Sequence, residues 1–573
     1  MIPKVRLLLV VVACLLLASI GIPLGLWLAG GSVVWLLLIP GLILLLGVGL
    51  LQLGLWGSRG GLPALVRGQF GPRPVRFQRD ISLEVTGEGQ VYRVGVSIDP
   101  ERTVAELPKR YLSFAVDLSQ VVGGKWWNPD ADRVEWGSGT LRAPAFDFDR
   151  PKLDLLAGAL SPAYLRVGGS ESDKAYYDLG AGQGRGPAVP RGYESAMTAA
   201  QWDAIQAFVH RHDLGLVFTL NAGPAARDRQ GRWQGENAAE LLAYTAERGY
   251  RVDAWELGNE VNIFFAVHGP KAQVTPGQYA RDLRAARALV DRITPGAKLA
   301  GQGSAYWPVL GEPLGAVYGF LPGYLKEAGE LVDIVSWHYY PQQSRRGPMA
   351  SRRAHPARLL NPANLDEAGH WVEKVNGWRD RYAPGSPVWL GETGNAQYGG
   401  EPDLSNAYLG GLWWLDQLGL MARLGQEVVV RQSLAGMDYG LLDDETLEPR
   451  PDYWNSLLWK RLIGPRVLAA RARGECAERL RVYAHGASGP GAVTVLAINL
   501  DPAREALLDF PGLEGRGREV YAVTAPDPLG QTVLLNGEEL ALSGGRLPAL
   551  RGVRRDEVRL EPLSYAFVRF EGA

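Results

Sequence analysis

Cysteine is almost absent: the 573 residues contain two, Cys14 and Cys476. Cys14 lies inside an apolar N-terminal run, so the chain does not read as a disulfide framework, and cysteine usage gives no redox compartment. An excess of charge is also lacking. The 60 Lys and Arg balance 61 Asp and Glu to a net charge of −1, which offers nucleic acid no global attraction. Any preference for an acidic ligand must come from a local patch. No cluster has metal-ligand spacing, and neither a metal nor an organic cofactor is expected. Internal repeats and low-complexity tracts are missing too. What is abundant is aromatic surface, with 18 Trp and 22 Tyr. Such rings stack on the apolar faces of sugars as well as filling cores. The length suffices for a barrel and an accessory module.

Residues 7–28 and 33–55 carry no charge, and each run exceeds the roughly 20 residues that cross a bilayer core. With the short link Ala29-Gly30-Gly31-Ser32, residues 1–56 are expected to form a transmembrane hairpin. The rivals are a signal peptide followed by one span, and a lipoprotein cleavage site at Cys14. Lys4 and Arg6 precede the first run, and Arg59, Arg67, Arg73, Arg76 and Arg79 follow the second. The positive-inside rule thus places both flanks in the cytoplasm, but the side on which the body of the chain lies stays open.

Residues 57–76, rich in Gly, Pro and Arg, read as a juxtamembrane linker. Short apolar runs then alternate with amphipathic stretches. Eight strand candidates stand at 112–116, 164–167, 215–220, 253–257, 298–301, 334–337, 388–391 and 428–432, with helical patterns between most of them. This pattern predicts an α/β fold, a (β/α)8 TIM barrel over residues 106–462, with a doubly wound sheet as the alternative. Residues 463–573 change to strand-like runs between Gly, Pro and charged turns and read as an all-β sandwich. The strand-like segment within residues 77–105 is expected to join it.

Two of the barrel strands end in a carboxylate. One reads Trp255-Glu256-Leu257-Gly258-Asn259-Glu260 and the other Val388-Trp389-Leu390-Gly391-Glu392-Thr393. In a barrel both ends open on one mouth. Two carboxylates across a sugar-binding cleft are the minimum for glycoside hydrolysis, one staying protonated for the leaving oxygen and the other ionised to attack the anomeric carbon. Either Glu alone would serve equally well as a solvated residue or a helix cap. Asn259 beside Glu260 offers an amide for the sugar's 2-hydroxyl.

These motifs, with Leu160 to Gly169, Arg431-Gln432, Pro451-Asp452-Tyr453-Trp454, Leu480 to Tyr483 and Ala497 to Leu500 in the same order, resemble the heparanase-type hydrolases, glycoside hydrolase family 79. The resemblance implies a retaining hydrolase of β-linked uronic acid glycosides, with Glu260 as acid/base and Glu392 as nucleophile. It further implies that Tyr398, Gly399 and Gly400 approach the uronate, that Tyr439 contacts it, that Asp117 and Ser170 meet sugar hydroxyls, and that Tyr340 supports the nucleophile. Val261 stands where the family commonly has Pro. The excised peptide of animal members has no counterpart between Asp178 and Thr198, which implies activity without proteolysis. Arg345, Arg346, Arg352, Arg353 and Arg358 crowd the loop after the sixth strand and could attract a polyanionic glycan, or simply be solvated. The expected partner is a uronic-acid polysaccharide or oligosaccharide. The rivals are a barrel glycosidase or transglycosylase on a neutral sugar and a non-catalytic, membrane-bound glycan-binding protein.

Overall fold

The computed structural model describes residues 90–126, 141–180, 188–309, 311–312, 319–347, 350–487, 489 and 491–572. All of them belong to the unit Arg73–Ala573. Among the described residues no helix is long and apolar enough to cross a membrane. The apolar runs at 7–28 and 33–55, the expected hairpin and the linker at 57–76 lie outside the described residues.

Eight parallel strand positions form a ring. They are Leu112–Asp117, Ala163–Gly168, Leu214–Leu220, Ala254–Leu257, a fifth in two pieces at Lys298–Ala300 and Ser304–Tyr306, then Val335–Tyr339, Val388–Thr393 and Val428–Arg431. Val429 pairs with Leu112, joining the eighth position to the first. Ala300 bridges Ile334 and Ser304 pairs with Trp337, joining the fifth to the sixth. The result is a TIM-like β/α barrel, and its closure excludes the doubly wound alternative. Helices pack outside, including Ala199–Arg211 and Pro276–Ile293. Their starts are fixed by reciprocal capping boxes, Thr198 with Gln201 and Thr275 with Gln278, which satisfy backbone N–H groups that the first helical turn leaves unpaired.

Alternation along the strands sorts the side chains. Leu165, Val167, Leu216, Phe218, Trp255 and Leu257 belong to the large core beneath the helices. Ala115, Val217, Ala254, Ala300, Ile334, Trp389, Val428 and Val430 form a separate apolar cluster. Successive strand side chains point to opposite faces, so this second set is the barrel's inner floor. The inward positions above it are polar, and the site stands there.

The β module is an 11-stranded sheet. Val91–Glu106 pairs antiparallel with Arg466–Gly474 and parallel with Glu505–Asp509, so one hydrogen-bonded path runs through the module. An all-β module stands where the sequence leads one to expect it, its strands joined through this long strand into one hydrogen-bonded sheet. Val495, Ala497, Ala566 and Val568 line the module's own core, while Leu496, Ile498, Tyr565 and Phe567 pack into the barrel's core. Asp416, on the helix Tyr408–Arg423, accepts from Arg481 Nε at 2.6 Å and Tyr483 Oη at 2.5 Å. That contact fixes the module against the helix following the seventh strand.

Candidate active site

Arg166 is the hub of the polar layer. It is buried in the second strand, flanked by Leu165 and Val167. Its Nε and Nη2 donate to Glu256 Oε2 at 3.0 and 2.7 Å, Nη2 donates to Asn259 Oδ1 at 2.8 Å, and Nη1 donates to Glu392 Oε2 at 2.9 Å. Glu256 is held further by Thr219 Oγ1 at 2.7 Å and Ser336 Oγ at 3.3 Å. Glu392, on the seventh strand, accepts from Tyr340 Oη at 2.6 Å. His338 Nδ1 stands 2.9 Å from Glu260 Oε1 and 3.8 Å from Glu392 Oε2. Ligand-type atoms of Glu260, His338 and Glu392 all lie within 4.8 Å of one another. This set has donors suited to a cation, but the Arg166 guanidinium already bonds Glu392, so the positive partner is supplied by the protein.

Glu260 sits just past the fourth strand with φ 50°, the left-handed region that only Gly, Asn and Asp adopt readily. Such strain persists where the surroundings fix it, and it turns the side chain into the mouth. Asp173 holds this turn from below, accepting from the Asn259 and Ala222 backbone N–H groups at 2.9 and 2.8 Å.

The two carboxyls titrate in opposite directions. Burial raises Glu260, and the facing Glu392 charge adds to it, against the lowering effects of His338 and Arg166. Burial also pushes Glu392 upward, but His338, Arg166 and the Tyr340 hydroxyl outweigh it and leave Glu392 below the usual carboxylate range. One group is poised to hold a proton and the other to stay ionised.

Of the remaining positions suggested by sequence, Asp117, Tyr398 and Tyr439 lie close enough to feel the charge of this pair. Asp117 is buried and accepts from Gln432 Nε2 at 3.0 Å. Burial, with the Glu392 charge adding, pushes it up to about 7. Ser170 is half-buried at the start of the short helix Ser170–Lys174, directly after the second strand. Tyr398 feels the Glu260 charge, and Tyr439 is buried near Asp117, Glu392 and Gln432. Gly399 and Gly400 have φ of 83° and 90°. The Gly399 carbonyl accepts from the Asp438 N–H at 2.9 Å, and a Cβ on Gly400 would stand 2.8 Å from the Tyr439 nitrogen. The 398–400 and 437–439 segments are thus in backbone contact.

The arginine-rich loop is not an open basic patch. Arg345 pairs with Glu401, Arg346 with Asp438 at 2.7 Å and Arg352 with Glu367. Arg353 and Arg358 donate to backbone carbonyls of the same loop. Internal pairing of these guanidiniums weakens any long-range attraction for a polyanion, and it differs also from the solvated loop that is the other reading of the sequence.

Residue-by-residue reading missed Arg166, Glu256, Thr219, Asp173 and Gln432 as site components. A usable signal existed for the first two: each is a charge inside an otherwise apolar strand. His338, on the sixth strand, contacts Glu260.

A closed β/α barrel with two buried carboxyls of opposed tendency at the strand ends defines a barrel glycosidase. Residues 94–419 match the model of the glycosyl hydrolase family 79 N-terminal domain, and the chain belongs to that family of glycoside hydrolases. It is 33% identical to Heparanase of Mus musculus over 454 residues, covering 70% of this chain and 81% of that protein. It is 28% identical to Heparanase-like protein 1 of Arabidopsis thaliana over 543 residues, covering 85% and 94%. Among solved structures, the GH51 arabinofuranosidase from Xanthomonas axonopodis pv. citri superposes with a TM-score of 0.59 at 15% identity, covering 84% of this chain and 100% of that one. This last likeness concerns the fold.

Proposed function

We propose that the chain hydrolyses β-linked uronic acid glycosides, in a polysaccharide or oligosaccharide, with retention of anomeric configuration. Glu392 attacks the anomeric carbon while Glu260 gives its proton to the leaving oxygen, breaking the glycosidic bond and forming a glycosyl ester on Glu392. Glu260, now ionised, takes a proton from water as that water displaces Glu392, which returns both groups to their starting states. Arg166 occupies Asn259 Oδ1, which leaves the amide NH2 to donate to the 2-hydroxyl. Tyr398, Gly399, Gly400 and Tyr439 form the wall for the substrate carboxylate, where backbone N–H groups of a glycine pair receive an anion. Asp117 and Ser170 bind hydroxyls. Residues 7–28 and 33–55 tether the enzyme to a membrane.

The observation that carries this reading is the opposed displacement of two carboxyls whose oxygens lie within 4.8 Å. Retaining enzymes keep their carboxyl groups about 5–5.5 Å apart, whereas inverting ones leave room for a water. The full chain and Glu392→Ala should be assayed on a chromogenic β-glucuronide, a β-glucoside and a β-xyloside, with the first-formed anomer read by NMR. Release of β-glucuronic acid by the wild type and not by the variant supports the proposal. Release from neutral glycosides alone would overturn the uronate assignment, and an α-anomer as first product would overturn retention. Glycan binding without any release would favour a binding protein.

A further inference from the structure

The turn at residues 344–347, in the loop after the sixth strand, touches both walls assigned above to the substrate carboxylate. Its backbone side is paired with the first wall: Gln397 N donates to Gln342 O at 3.0 Å and Ser344 N to Gln397 O at 3.3 Å. The Tyr398 ring lies where a side chain on Gly347 would stand. Arg345 N donates to Glu401 Oε2 at 2.7 Å, and its Nε pairs with the other oxygen of that buried carboxylate. Glu401 directly follows Gly400. The next residue, Arg346, turns to the second wall and pairs through Nη1 with Asp438 Oδ2 at 2.7 Å, the two side chains being 2% and 10% exposed. Asp438 directly precedes Tyr439, and its N–H bonds Gly399 O. Arg353 Nη1 secures the turn by donating to the carbonyls of Ser344, Arg345 and Gly347 at 3.2–3.3 Å.

Two adjacent guanidiniums therefore grip two different loops, each one residue away from an expected uronate contact. Buried ion pairs stabilise a fold weakly, because desolvation offsets most of their attraction. Their better-attested use is to fix one arrangement among several, and a binding wall needs its supporting residues locked in that way. We propose that Arg345 and Arg346 are positioning residues that set the Gly399–Gly400 wall and the Tyr439 wall at a fixed separation, and thereby select a uronate over a neutral sugar. The selectivity half rests on the uronidase reading; the positioning half does not.

The test uses the full chain as wild type, Arg346→Met, Arg345→Met and the conservative Arg346→Lys. Hydrogen exchange should rise on the order of ten-fold in segments 397–401 and 437–441 of the Met variants and stay unchanged in the strand Ala163–Gly168. The ratio of kcat/KM for β-glucuronide over β-glucoside should fall on the order of ten-fold, mainly through KM, since a wall misplaced by about 1 Å costs up to about a hundred-fold. Arg346→Lys, which keeps the charge, should recover much of both effects and covers the case in which a Met variant fails to fold. Unchanged exchange in the two segments overturns the proposal, as does an equal fall for both substrates. A wild type silent on glucuronides sinks the uronidase reading instead, and exchange alone then decides whether the two arginines hold the walls.

Discussion

Tyr340→Phe removes one hydroxyl and keeps the buried ring. That hydroxyl donates to Glu392 Oε1 at 2.6 Å, while Arg166 holds Oε2 at 2.9 Å and His338 stands at 3.8 Å. A hydrogen bond to a charged group contributes about 1.5–3 kcal/mol. At about 1.4 kcal/mol per pH unit, its loss should raise the Glu392 pKa by about 1–2 units. The sign follows from the native direction. Glu392 is depressed in the folded enzyme, so its ionised form persists to low pH and its stabilising contribution is lost only as pH falls through that depressed value. Phenylalanine moves the folded value back toward the ordinary one, and the pH at which Glu392 becomes protonated rises. The acid limb of kcat/KM on a β-glucuronide, which reports groups of the free enzyme, should therefore move up by about 1–2 pH units. Thermal melts at neutral pH should show a parallel loss of about 1.5–3 kcal/mol. An acid limb that stays in place or moves down, on a folded variant, would refute the assignment of Glu392 as the ionised partner.

Arg166→Met leaves Glu256 and Glu392 buried without their shared cation; urea unfolding should show a loss of about 3–5 kcal/mol, and a loss below about 1 kcal/mol would contradict the hub role. Gly400→Ala forces an L-residue into φ 90° with its Cβ 2.8 Å from the Tyr439 nitrogen. It should cost about 1–2 kcal/mol and raise KM for a β-glucuronide more than for a β-glucoside, as steady-state kinetics would show. Burial pushes Glu312 up to about 7, so its protonated form stabilises the fold fully below about pH 4, and that contribution is lost as pH rises through about 7. Glu312→Gln should therefore match the wild type in melts near pH 4 and exceed it by up to about 3 kcal/mol above pH 7; coincident curves at both pH values would refute this.

The barrel was legible because its strands are apolar runs whose polar residues come at their ends. The sequence spans 112–116 and 388–391 became Leu112–Asp117 and Val388–Thr393. The second piece of the fifth position, Ser304–Tyr306, was not legible. It is three residues long and follows Gln302 and Gly303, so no run or alternation announces it. The pairing order of the β module was illegible for a different reason: which strand pairs with which is a long-range matter, and Val91–Glu106 meets partners several hundred residues away. The same limit hid the pairing of the arginine-rich loop. Five clustered arginines read as either a basic patch or a solvated loop, and neither reading foresees that Glu401, Asp438 and Glu367, contributed by other segments, pair with three of them.

Glu256 and Glu260 show what only the assembled site can decide. They stand four residues apart, both inside the motif that suggests a catalytic carboxylate. Glu256 lies within the strand, 1% exposed, with Arg166, Thr219 and Ser336 all bonded to it. A carboxylate so enclosed orients Arg166 and is shut away from the mouth where a substrate would lie. Glu260 lies past the strand end, turned by its left-handed backbone toward Glu392 and met by His338. Burial and the facing charge favour its protonated form, which is the form the proposed mechanism requires of it. Two glutamates from one short motif thus differ in setting: one holds the Arg166 guanidinium that also bonds Glu392, and the other, under the proposed mechanism, carries the proton.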